Sequence, residues 1–78
     1  MRLFELARGA SARVDGVEDA TPDDPIARRL RALGFVPGEP VRLVTRGPLG
    51  GEPLLVQIGA TRFALRRSEA ARVQVTPT

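Results

Sequence analysis

The sequence predicts a mainly β fold: a small barrel of about five short strands with one short α-helix. Three observations carry that expectation. A helix is signed at both ends between Asp24 and Gly34, a two-residue turn at Gly59-Ala60 has matching alternation on both sides, and turn residues sit at every other corner. The 78 residues read as a single domain spanning 1–78. With no cysteine and no histidine, neither disulfides nor a Cys/His zinc site can hold so small a chain, and packing alone must do so.

In chain order, Met1 to Ala10 holds an apolar run broken by Glu5 and Arg8. It is too short and too charged for a signal peptide or a membrane span, so the expectation is a soluble, cytoplasmic protein without membrane insertion. Ala10 to Val17 alternates loosely and predicts the first strand. Thr21-Pro22-Asp23-Asp24-Pro25 marks a helix entry, with Asp24 as the cap and Pro25 at the first helical position. Ile26, Leu30 and Leu33 follow as one apolar stripe, and Gly34 is a helix stop. Val36-Pro37-Gly38 turns the chain into a strand over Val41–Arg46, and Gly47 to Pro53 reads as a loop.

The hairpin about Gly59-Ala60 comes next. It sets Ile58 opposite Thr61, Val56 opposite Phe63 and Leu54 opposite Leu65, all on the buried face. Gln57 with Arg62 and Leu55 with Ala64 fall on the other face, which Arg66 extends. Ser68 to Ala71 predicts one helical turn, and Val73 and Val75 a last strand. One helix among five strands in this length points to an SH3-like β-barrel, which also removes the exposed edges of an open sheet.

Charge is divided along the chain. Residues 1–25 hold three arginines against six acids, and residues 26–78 hold nine arginines against three acids. The second part favours an acidic partner, a membrane-proximal surface or nucleic acid, against the plainer reading of a solvated basic surface. All twelve basic residues are arginine, and lysine and asparagine are absent, a bias that suggests a GC-rich coding sequence.

The chemistry of catalysis is missing. Without histidine, cysteine, lysine or tyrosine there is no usual base and hardly a nucleophile, and Ser11 and Ser68 have no histidine to activate them. Gly47-Pro48-Leu49-Gly50-Gly51 lacks the Gly-Lys-Ser/Thr ending of a phosphate-binding loop. No catalytic residue, no cofactor and no metal site is expected. Asp24 reads as a cap, and Glu18, Asp19 and Asp23 as solvated neighbours rather than convergent ligands.

These residues, taken together, resemble the FeoA family of bacterial ferrous iron transport. Leu3, Leu6, Gly9 and Val14 are similar to its opening segment. Arg29-Leu30, Leu33-Gly34, Pro37-Gly38 and Val41 resemble its R-L-x-x-L-G-x-x-P-G-x-x-V signature. Pro48, Gly50 and Pro53 resemble its proline–glycine loop, and Ala64-Leu65-Arg66, Glu69-Ala70 and Val73 its C-terminal signature. The family loop commonly reads P-x-G-D-P. Here Pro48-Leu49-Gly50-Gly51-Glu52-Pro53 is one residue longer, with Glu52 before the second proline.

The resemblance implies an SH3-like fold and a role supporting FeoB, a membrane permease with a cytosolic G-protein domain. FeoA-like domains also resemble the C-terminal domain of some iron-dependent repressors. Only a few residues precede the first strand, leaving no room for a helix-turn-helix, so a stand-alone protein is expected. The expected action is protein–protein contact, with weak self-association left open.

Two surfaces are candidates. One is the outer hairpin face with Leu55, Arg62 and Arg66; the other is the loop from Leu49 to Glu52. The alternative is a basic barrel binding nucleic acid through a strip of Arg42, Arg46, Arg62 and Arg66. Single-strand readers add exposed aromatics for stacking, and this chain has three phenylalanines in all. Proline-rich peptides are disfavoured for the same reason, since no tryptophan or tyrosine is present to line a groove.

Overall fold

The computed structural model describes residues 1–78. Its strands are β1 (Ser11–Val17), β2 (Pro40–Gly47), β3 (Gly51–Ile58), β4 (Thr61–Leu65) and β5 (Val73–Pro77). A helix α1 (Pro25–Ala32) joins β1 to β2, and a four-residue helix α2 (Arg67–Ala70) joins β4 to β5. All pairings are antiparallel, and the strands form one sheet in the order β4-β3-β2-β1-β5. Register shifts in β1 near Gly16 and in β2 after Leu43 mark bulges. Bulges increase twist and bend a sheet, and this one is coiled into the small SH3-like barrel expected.

The barrel interior follows the period of two. Ala12 and Val14, Val41 and Leu43, Leu54, Val56 and Ile58, Leu65, and Val73 with Val75 are buried and point inward. Leu30 of α1, Phe35, Ala70 of α2, Leu3 and Leu6 close the open sides. Sequence reasoning named the stripe Ile26, Leu30 and Leu33 but not Ala27. In the structure Leu30 and Ala27 are buried, while Ile26 and Leu33 are only half-buried. Ile26 and Leu33 still pack against the barrel core, and Ala27 is buried outside it.

Asp24 caps α1 as expected, its Oδ1 accepting from Ile26 N at 3.0 Å. It does more. The side chain is 2 % exposed, and Oδ2 accepts from Ala20 N at 2.9 Å and from Arg72 Nε at 2.6 Å. The Arg72 guanidinium, with the backbone amides of Ala20, Ile26 and Ala27, outweighs the cost of burial and holds this carboxyl down to about 2. One aspartate thus ties the start of the helix to the segment before β5.

The first residues are part of the core, a role that a short apolar run broken by Glu5 and Arg8 could not announce. Leu3–Glu5 forms a 3₁₀ turn, with Glu5 Oε1 accepting from Arg2 N at 2.7 Å. Leu3 and Leu6 are buried beneath it. Met1 and Val75 exchange backbone hydrogen bonds, and Arg2 bridges to Gln74, so the N-terminus covers part of the β5 edge.

The β3–β4 hairpin has the register read from the sequence: Ile58 with Thr61, Gln57 with Arg62, Val56 with Phe63, Leu55 with Ala64, Leu54 with Leu65. Gly59 has φ +57° and Ala60 has no positive φ, the type II′ pattern whose twist suits flanking strands. Phe63 is a partial correction. It faces inward against Phe35, ring centroids 6.0 Å apart, but as a residue of an edge strand it stays half-exposed. A second correction concerns Gly47 to Pro53. Only Pro48–Gly50 turns; Gly47 ends β2, and Gly51, Glu52 and Pro53 already belong to β3. Turn-forming residues mark this corner, but the ladder runs through them. No helix is long and apolar enough to cross a membrane.

Candidate partner-binding surface

The outer face of the sheet is built by the residues that alternate with the core. Arg42 of β2 pairs with Gln57 of β3, and Gln57 with Arg62 of β4, which sets two exposed guanidinium groups on either side of an amide. Arg62 Nε donates to Gln57 Oε1 at 3.2 Å, and Gln57 Nε2 donates to Gly59 O at 3.1 Å. The next row holds Thr45, half-buried Leu55 and exposed Ala64. Arg66 follows Leu65 in extended conformation and continues the outward alternation of Arg62 and Ala64.

Arg46 does not join this strip. Strict alternation from Arg42 would place it outside. The bulge sets Leu43 opposite Val56 but Thr45 opposite Leu55, so Arg46 comes level with buried Leu54. From there its guanidinium donates to the carbonyl of Leu6 at 2.9 Å and to that of Phe4. A residue read as part of a basic surface is a strut beneath the N-terminal turn. A one-residue bulge carries no reliable signature in a single sequence, so the sequence could not have shown it.

The second candidate surface adjoins the first. Leu49, at the tip of the β2–β3 turn, is 80 % exposed and bridges to Glu52. Glu52 is half-buried, and its Oε1 accepts from Arg67 N at 2.9 Å, which fastens the turn to the start of α2, next to Arg66. The Arg67 guanidinium lies 4.4 Å over the Phe4 ring. The Leu49 turn therefore abuts the Arg66 end of the hairpin face, whose other members are Ala64, Leu55 and Arg62. Glu52 braces that side and offers little free carboxylate to it.

The charge pattern is lopsided. The four ion pairs, Arg2–Glu18, Arg28–Asp23, Arg31–Asp19 and Arg72–Asp24, all lie away from the hairpin. The guanidinium groups of Arg42, Arg62 and Arg66 form no ion pair, while the backbone N–H of Arg66 donates to Glu69 Oε1 at 2.7 Å. The exposed large apolar side chains are Met1, Val36 and Leu49, so no aromatic ring stands on this face. An open groove of about 290 Å³ runs beside Arg42 between Ser11, Arg13 and Pro40, and a broader one of about 570 Å³ lies between Arg2, Phe4, Glu18 and Arg72. No three His, Cys, Asp or Glu residues converge on a point.

A small SH3-like barrel whose hairpin face carries Arg42, Arg62 and Arg66 beside an exposed leucine turn defines the class of molecule. The FeoA domain model matches residues 1–77. The chain belongs to the FeoA family.

Among solved structures it is similar to FeoA of Stenotrophomonas maltophilia in complex with zinc, at 63% identity and a TM-score of 0.91 over 97% of this chain and 89% of that one. That protein is described as an SH3 domain protein with a suggested role as a ferrous iron transport activating factor. FeoA of Chlorobium tepidum is 35% identical with a TM-score of 0.83, covering 99% of this chain and 70% of that one. A manganese-dependent transcriptional repressor, 20% identical with a TM-score of 0.82, shares the fold alone across 36% of its length. A comparison with curated proteins gave no match.

Proposed function

We propose that the protein is a cytosolic, non-enzymatic accessory factor of ferrous iron transport that acts by docking onto the cytosolic G-protein domain of an FeoB-type permease. Family membership supports the transport role, and the description of the Stenotrophomonas relative as a transport activating factor agrees with it. The observation that carries the contact surface is the set of arginines without acids. Arg2, Arg28, Arg31 and Arg72 are ion-paired, whereas the guanidinium groups of Arg42, Arg62 and Arg66 share one face without an ion pair. Such a face raises association rates with an acidic surface and rejects a basic one. The absence of histidine, cysteine, lysine and tyrosine leaves any nucleotide hydrolysis to the partner.

The nucleic-acid reading is weaker than the sequence suggested. With Arg46 turned inward the strip loses one of its four arginines, and no exposed ring offers a stacking platform.

The test is the double charge reversal Arg62→Glu with Arg66→Glu. Both residues are exposed, and the pair makes one side-chain hydrogen bond, so stability should move by only about 0.5 kcal/mol per site. Capture of the permease's cytosolic domain, and iron uptake in cells lacking the native factor, should both be lost, and the wild-type contact should weaken with added salt. A folded double variant that restores uptake fully would remove this face and leave the Leu49 turn as the contact.

A further inference from the structure

The sheet is open at β4. A two-residue turn makes its flanking pair, Ile58–Thr61, a hydrogen-bonded one, so bonding alternates from there. Thr61, Phe63 and Leu65 direct their backbone groups to β3, and Arg62 and Ala64 direct theirs away from it. Neither Arg62 nor Ala64 makes a backbone bond outside the strand ladder. Both are exposed, leaving two N–H and two C=O groups in a row on a free edge. The opposite edge differs, because Met1 and Arg2 pair with β5 there.

An unprotected edge is a template for another strand, and proteins guard such edges with charge. Here the guards are Arg62 and Arg66, flanking small Ala64 on the outward side. Antiparallel self-pairing centred on Ala64 would set Arg62 opposite Arg66 of a second copy twice over. Like charges directly opposite across a sheet are unfavourable, so this edge rejects another copy of the chain.

An acidic strand meets the opposite situation. Carboxylates two residues either side of its centre fall opposite Arg62 and Arg66, whose guanidinium groups make no intramolecular ion pair. Its intervening side chains turn to the inner side and cover the half-exposed ring of Phe63. We infer that β4 is a strand-addition site, accepting an extended segment with the alternation acid–apolar–small–apolar–acid, bound through the Arg62 and Ala64 backbone and selected by Arg62 and Arg66. This rests on the docking face proposed above and specifies how that face is used. Main-chain bonds give affinity in such additions and side chains give selectivity.

The probe is the capped heptapeptide TEVTVET, with TKVTVKT and a form N-methylated at the central threonine as controls, added to the intact ¹⁵N-labelled protein. Saturating TEVTVET should slow amide exchange at Arg62 and Ala64 by about tenfold or more. The N-methylated and lysine forms should bind at least about tenfold more weakly, equivalent to roughly 1.4 kcal/mol. In the variant Arg62→Glu with Arg66→Glu, the preference between TEVTVET and TKVTVKT should reverse.

Binding of TEVTVET without slowed exchange at Arg62 and Ala64, or equal binding of the N-methylated form, would overturn strand addition. No binding of TEVTVET at millimolar concentration would do so too. The same two amides are then followed with the permease's cytosolic domain. If that domain shifts Arg62 and Arg66 without protecting the amides, docking at this face stands and strand addition fails. If the peptide protects the edge while the domain leaves this face untouched, strand addition stands and the proposed partner is wrong.

Discussion

Phe35 and Phe63 pack ring to ring, yet truncating them should have unequal effects. Phe35 is fully buried between α1 and the sheet. Cutting it to alanine removes a whole ring from a closed core, which costs about 3–5 kcal/mol. Phe63 keeps a minor part of its ring in water, so Phe63→Ala forfeits about two-thirds of that transfer, roughly 2–3.3 kcal/mol. A single core in a chain this short supplies about 3–5 kcal/mol. Phe35→Ala should thus leave much or all of the population unfolded, and Phe63→Ala should keep a folded population with a melting temperature lowered by roughly 8–26 °C.

The two rings, tilted by 52° at 6.0 Å, should also show a coupling of about 0.5–1.5 kcal/mol in a double-mutant cycle. Urea titration followed by far-ultraviolet circular dichroism is the suitable assay, since the chain has no tryptophan or tyrosine to report by fluorescence. If Phe63→Ala proves as costly as Phe35→Ala, the edge position of β4 is wrong.

Asp24 sets an acid limit on stability. Its folded value of about 2 lies below its ordinary 3.8, so its contribution is fully present above that ordinary value and is lost as pH falls towards 2. Melting temperatures of wild type should therefore decline between pH 4 and 2, and Asp24→Asn should lower stability at neutral pH and flatten that decline. Arg46→Met keeps the stem but removes a charged donor from the carbonyls of Phe4 and Leu6. It should cost about 2 kcal/mol and speed amide exchange in the first six residues, whereas an unchanged N-terminus would count against the strut. A Cβ at Gly47 would lie 2.6 Å from the Glu52 carbonyl carbon and 2.8 Å from Pro53 Cδ, so Gly47→Ala must displace the β2–β3 turn. About 1–3 kcal/mol should be lost, with chemical shifts changing at Leu49 and Glu52; a neutral substitution would mean the turn yields freely.

The sequence by itself determined the elements whose signals are local. The cap at Asp24, the stop at Gly34, the Gly59-Ala60 turn and the alternation on both its sides each act through neighbours a few residues away, and together they set the helix, the hairpin register and the outward direction of Arg62 and Arg66. Tertiary structure decided what depends on residues far apart in the chain. Leu3 and Leu6 are core because β5 returns to pair with the residues before them. Phe63 is half-buried because no strand follows β4 on its outer edge. Arg46 is a strut rather than surface because a bulge in β2 reverses the alternation after Leu43. The same distinction applies to the candidate surface: side-chain direction was legible as a period of two, but the joining of the Leu49 turn to the arginine face depends on Glu52 reaching Arg67, fifteen residues away. Local patterns are set by backbone sterics and hydrogen bonding within a few residues, while burial and edges exist only once the sheet has coiled.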